Sequence, residues 1–194
     1  MSQSQVVQAL RLKGRATAEE IANSLGTDVA QVENELSVLA EGIFAVERLT
    51  GRRPGWMLTG EGRDLYESVL SESRTPEVVS RLSETYEDFL KFNQHVKDLC
   101  AKWQATADDA IRFEILEGLA EICDKVAPSL TSAGQTVARF SAYPNRLASA
   151  LARAHDDPRH VVSPSVESYH TIWFECHEDY LLTLGRSRIE EGSW

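Results

Sequence analysis

The densest chemistry in the chain lies near its end, in Tyr169-His-Thr-Ile-Trp-Phe-Glu-Cys-His-Glu-Asp179. Two imidazoles, three carboxylates and a thiol fall within this stretch. On a helix, Val166, Tyr169, His170, Trp173, His177, Tyr180 and Leu184 form one stripe. Glu167, Thr171, Glu175, Glu178 and Asp179 fall on the other side. The aromatic stripe is expected to face inward and to carry both histidines with it. His170 or His177 could act as acid or base in a pocket, tuned by nearby carboxylates, and Glu175 is the carboxylate candidate. Hydrogen-bonded core histidines are the plainer reading of the same pattern. A protein contact is a third, because Trp, Tyr and His on one face suit an interface. A metal centre is not expected. Positions seven apart lie about 10 Å apart along a helix axis at ~1.5 Å rise per residue. That is too far for two ligands of one ion at ~2 Å each. Cys176 points away from His170, and no second Cys/His pair has ligand spacing.

A second aromatic segment, Phe89-Leu-Lys-Phe-Asn93 through Trp103-Gln104, is expected to pack nearby. It would bring Asn93, Lys97, Trp103 and Gln104 toward Tyr169 and Trp173 as acceptor-binding or interface residues. There is no glycine-rich phosphate loop, no Gly-x-Ser-x-Gly elbow and no dinucleotide fingerprint. A complete active site within this one chain is therefore not expected, and no cofactor is expected to be bound by it.

The elements that must position these residues follow from composition and period. The chain has 194 residues, 42% of them hydrophobic and 26% charged, with a formal charge of −10. That balance suits an ordinary soluble globular protein of one or two domains and excludes a wholly disordered one. No apolar run approaches the ~18 residues needed to span a bilayer, and the N-terminus does not read as a signal peptide. Three cysteines with no pairing pattern suit reduced thiols, so a cytoplasmic protein with no membrane association is expected. The acidic balance argues against a nonspecific polyanion binder.

Residues 1–72 and 73–194 read as two domains, meeting near Ser71–Pro76. In the first, a short helix stops at Gly14, and Thr17-Ala-Glu-Glu20 is a capping box that starts a second helix. A third helix over about 28–41 has Val29, Val32, Leu36 and Leu39 on one face. Residues 43–49 then read as a strand, 50–55 as a turn-rich loop and 56–58 as a return strand. Thr59 caps a fourth helix through Leu70. The second domain reads as all helix. Pro76 opens a long helix with Leu82, Tyr86, Phe89, Val96, Cys100 and Trp103 on its buried seam. Another helix opens at Thr106-Ala-Asp-Asp and is bent or ended near Pro128. A third spans about 136–154, interrupted at Tyr143-Pro144. A last runs over about 165–184 to Gly185, a C-cap, and the tail from Arg186 onward is expected to fray.

Helix-turn-helix followed by a β-hairpin is the winged-helix plan, and the first third of the chain resembles that superfamily, the MarR-type regulators in particular. The stretch Trp56-Met-Leu-Thr-Gly-Glu-Gly62 is similar to a second wing strand running into the next helix. In that plan the third helix enters the major groove, and Lys and Arg neutralise phosphates. Here Gln31 and Asn34 could read base edges, and Arg48, Arg52 and Arg53 could touch phosphates from the wing. Yet the third helix holds Asp28, Glu33, Glu35 and Glu41 and no Lys or Arg. Residues 1–70 carry 7 basic and 10 acidic side chains, net −3. Winged helices also serve as protein–protein modules, so fold alone does not choose.

The resemblance extends further. The segments Phe89-Leu…Asn93…Leu99-Cys…Trp103-Gln104, Arg139-Phe-Ser-Ala-Tyr143 and the 169–179 motif resemble a family of actinobacterial proteins. In that family a winged-helix start precedes a helical domain ending in the same Tyr-His-Thr-x-Trp-Phe-Glu-x-His-Glu-Asp signature. Members are similar to companions of phosphoenolpyruvate-utilising, dikinase-type phosphotransferases. Those enzymes split ATP on an ATP-grasp domain and pass phosphate through a mobile phosphohistidine domain to an acceptor such as a phenol or an organic acid. The resemblance implies a small accessory subunit that docks a larger ATP-grasp/phosphohistidine chain or positions the acceptor. ATP and magnesium would be held by that partner. DNA would be a partner only if the chain is instead a MarR-type regulator.

Overall fold

A computed structural model describes residues 3–51 and 53–187. The chain divides into two compact units, Met1–Arg74 and Thr75–Trp194. Among the described residues the protein is mainly helical, with one small two-stranded antiparallel sheet.

The first unit opens with α1 (Gln3–Lys13), which buries Val6, Val7 and Leu10. α2 (Ala18–Leu25) starts at the expected capping box. The Thr17 side chain accepts from the Glu20 amide, and the Glu20 carboxylate accepts from the Thr17 amide. Gly26 closes it in the left-handed conformation, φ 62°. α3 (Val29–Glu41) is capped by Asp28 and buries Val32, Leu36 and Leu39. Val29 sits in its first turn and is exposed.

The strand expected over 43–49 shortens to β1 (Ala45–Arg48), paired with β2 (Gly55–Leu58) in the register Ala45↔Leu58 to Arg48↔Gly55. Ile43 is the reason. It takes φ 60°, unusual for a β-branched residue, and is 63% exposed. The chain leaves α3 through this left-handed step, with the Phe44 amide donating to the Leu39 carbonyl. The Phe44 carbonyl then accepts from the Thr59 amide at the start of α4 (Gly60–Ser73). Gly62 is required there, since a Cβ would lie 2.0 Å from the Phe44 carbonyl oxygen.

In the second unit α5 (Pro76–Ala105) and α6 (Asp109–Thr136) run antiparallel. Lys102 lies by Glu114 at one end, and the Ser129 hydroxyl donates to the Thr85 carbonyl at the other. The expected seam of α5 is buried throughout, joined by Thr85 and Asn93. Pro128 neither ends nor opens a break in α6. It is exposed, as is Asp124 four residues earlier, so water can serve the carbonyl that proline leaves without a donor. The helix expected over 136–154 separates into a 3-10 turn, Ala138–Ala142, and α7 (Tyr143–Ala154), with Pro144 in its first turn. The short α8 (Arg159–Val162) follows. The last helix begins later than expected, as α9 (Tyr169–Leu184), where Ser168 accepts from the Thr171 amide. α5, α7 and α8 all pack on α9. No described helix is long and apolar enough to cross a membrane.

Because Ile43 is exposed, Ile43→Asn relieves its backbone without opening the core. The variant is expected to stabilise the first unit by about 1 kcal/mol, read as a higher urea midpoint.

Candidate functional site

α9 carries the 169–179 motif through the middle of the second unit. Tyr169, Ile172, Trp173, Glu175, Cys176, His177, Asp179, Tyr180, Leu181, Thr183 and Leu184 are all buried. The expected division into an inward aromatic stripe and an outward acidic one is therefore wrong for Glu175 and Asp179. Two different faces of α9 are covered, one by α5 and one by the 138–154 segment.

On the α5 side the contacts are aromatic stacking and hydrogen bonds. His177 is 2% exposed and shares a 2.9 Å hydrogen bond between its Nε2 and the Tyr86 hydroxyl. Phe89 stacks on Trp173 at 4.3 Å between ring centroids. The Trp173 Nε1–H donates to the Asn93 carbonyl oxygen at 3.1 Å, and the Tyr180 hydroxyl donates to the Thr85 hydroxyl at 3.3 Å. Beyond α5, the Tyr169 hydroxyl donates to the Leu119 carbonyl of α6.

On the other side the contacts are ionic. The Arg146 guanidinium, on α7, donates to both Glu167 and Glu175. Burial opposes its charge, but Glu175 and Glu167 more than offset that and hold its pKa above the usual arginine value. Arg139, in the 3-10 turn, donates to Asp179 at 3.0 Å and also to the Thr183 hydroxyl. The Tyr143 hydroxyl donates to Asp179 at 3.0 Å. Burial pushes the Asp179 carboxyl up, against the pull of Arg139. The same burial raises the Tyr143 phenol and the Cys176 thiol well above their ordinary values. Cys123 is raised, and Cys100 is pushed up to about 12. None of the three thiols has the lowered pKa of a nucleophile.

The structure thus brings Asn93, Tyr169, Trp173 and His177 together in one aromatic layer, with Glu175 in the ionic layer behind it. Trp103 is buried separately, under the Arg112 guanidinium at 5.2 Å. Gln104 is exposed and Lys97 half-buried. His170 is the half-buried histidine of the motif, and burial holds its pKa below the usual value. Arg139 and Arg146 are the residues sequence reasoning left without a role. Their signal was two arginines two helical turns apart in a chain whose last helix carries carboxylates one turn apart. Among the described residues no group of three or more His, Cys, Asp or Glu is placed to hold a metal ion.

In the first unit Gln31 and Asn34 are exposed on α3, as are Glu33 and Glu41. The Gln31 side-chain oxygen accepts from the Thr27 hydroxyl. Arg48 is exposed on β1. Arg53 is paired with Glu20 at 2.9 Å, and the Arg53 carbonyl accepts from Arg15. Arg52 lies outside the described residues. In comparisons with known proteins, no family model, curated protein or solved structure matches the chain.

Arg146→Met leaves Glu175 charged and buried, and is expected to cost about 3–5 kcal/mol in denaturant unfolding. Adding Glu175→Met should recover most of that loss. A second expectation concerns pH. The folded pKa of His170 is depressed, so its contribution is complete above the unfolded value of ~6.5 and is lost as pH falls through the folded value. His170→Gln should flatten the stability profile in that window, and proton NMR should show the ring titrating below ~6.5.

Proposed function

We propose that this chain is a small cytoplasmic accessory subunit of a multi-chain, ATP-dependent dikinase-type phosphotransferase. In this reading the first unit is a winged helix used for docking, and the helical second unit helps to dock the larger chain or position the acceptor. The partner is an ATP-grasp/phosphohistidine subunit that holds ATP and magnesium. It passes phosphate through its own histidine to a small organic acceptor, such as a phenol or an organic acid. The resemblance of the 169–179 motif supplies the reaction class.

The observation that carries the reading is the surface of α3. Glu33 and Glu41 are exposed there, Asp28 caps it, and no Lys or Arg lies on it. Phosphodiester binding needs cations at that position, so a carboxylate-bearing helix suits a protein partner instead. The burial of the motif supports a non-catalytic role. His177 and Glu175 are engaged inside the fold, and a buried, ion-paired carboxylate has no path to a substrate.

A MarR-type DNA-binding regulator, with a helical ligand-sensing or dimerisation domain, is the alternative. It is favoured by the three-helix-plus-hairpin order and by Arg48, exposed on the hairpin. The two separate by experiment. In a reconstituted phosphotransferase containing the candidate large subunit, omitting this chain is expected to lower ATP-dependent phosphorylation of the acceptor at least tenfold. Glu33→Lys with Glu41→Lys should weaken subunit association. Undiminished turnover without the chain overturns the reading. So does salt-sensitive, sequence-selective binding to the DNA upstream of its own gene that Arg48→Ala with Arg53→Ala abolishes.

A further inference from the structure

The face of the α5–α6 pair that α9 does not cover holds a cleft of about 300 Å³. Phe92, Gly118 and Ile122 contribute its apolar lining. Phe113 stands beside them, 59% exposed, the most exposed aromatic ring among the described core-size residues. Glu114, Glu117 and Glu121 line the same cleft against one cation, Lys125. Lys125 pairs with Glu121 and Lys102 with Glu114, but these are exposed side chains whose pairing holds them weakly. His95 also lines it.

Gly118 lines the same cleft from within α6. Glycine is unfavourable inside a helix, and α6 asks nothing unusual of its backbone here, because its φ is not positive. A Cβ at 118 would meet the Leu99 side chain of α5 at 3.3 Å, closer than ordinary contact, so the glycine lets the two helices pack tightly at this level.

From these features we infer that the α5–α6 cleft is a docking groove for a basic amphipathic helix of another protein. Aliphatic or aromatic anchors of that helix seat between Phe92, Phe113 and Ile122, and its flanking Lys and Arg side chains meet Glu114, Glu117 and Glu121. The shape favours a helix over a metabolite. The cleft lies open along two antiparallel helices, and its charged groups stand at the rim instead of converging on an enclosed ligand. A second copy of this chain does not fit, since it would bring a molecule of formal charge −10 against an acidic face. The inference is independent of the α3 docking reading, because it concerns a different unit.

The test uses the full chain and a fluorescein-labelled peptide of about five helical turns, with Leu and Phe at i, i+3, i+4 and i+7 and Lys and Arg elsewhere. Anisotropy titration at about 0.15 M ionic strength should show saturable binding. Phe113→Ala should weaken it at least tenfold. So should Glu114→Gln combined with Glu117→Gln and Glu121→Gln. Glu33→Lys with Glu41→Lys should leave it unchanged, which separates this groove from α3. The inference is overturned if no saturable binding is seen, or if Phe113→Ala binds as the parent does. It is equally overturned if a scrambled peptide of the same composition, or one with Glu replacing Lys and Arg, binds as tightly.

Discussion

A helix buried around most of its circumference must find a partner for every polar group it carries, because an unmet charge in the interior costs far more than a lost surface contact. α9 meets that demand by sorting its side chains. The hydrogen-bonding groups of Trp173, His177 and Tyr180 turn to α5, where they meet Asn93, Tyr86 and Thr85. The carboxylates Glu175 and Asp179 turn to the 138–154 segment, where Arg146 and Arg139 wait. Turning α9 by one residue, about 100°, would carry the carboxylates out of reach of both guanidiniums. Ion pairs of this type add little net stability over an apolar pair of equal volume. Their effect here is to make one rotation of the helix far better than its neighbours.

That constraint explains what could be read in the residues beforehand. The long α5 seam was legible, since apolar groups at three/four spacing have one simple solution. The inward His177 was legible for the same reason. The burial of Glu175 and Asp179 was not, because helical periodicity assigns charge to water unless the partner is already known. Arg146 lies 29 residues before Glu175, and only the packing of α7 on α9 joins them. In the first unit the caps at Thr17 and Thr59 were written in local pattern, whereas the left-handed Ile43 was hidden by its own strand propensity. Pro128 does not end α6 as one of its two expected outcomes required: a proline on a solvent face removes a bond that water can replace.

The same sorting changes what the 169–179 motif says about chemistry. Its unusual density of Tyr, His, Trp, Glu, Cys and Asp suggests a reaction centre, yet most of these groups are consumed in holding α9. A signature of this kind can be specific because its members satisfy one another. The two surfaces proposed above for recognition, on α3 and on the outer side of the α5–α6 pair, use none of these groups.

The three cysteines stand on α5, α6 and α9, all of them covered and none oxidised to a disulfide. Since each sulfur stays protonated while it is enclosed, an alkylating reagent can capture it only when its own helix breathes. The molecule therefore contains three native clocks, one per helix, and the order in which mass spectrometry finds them labelled would trace how this unit comes apart.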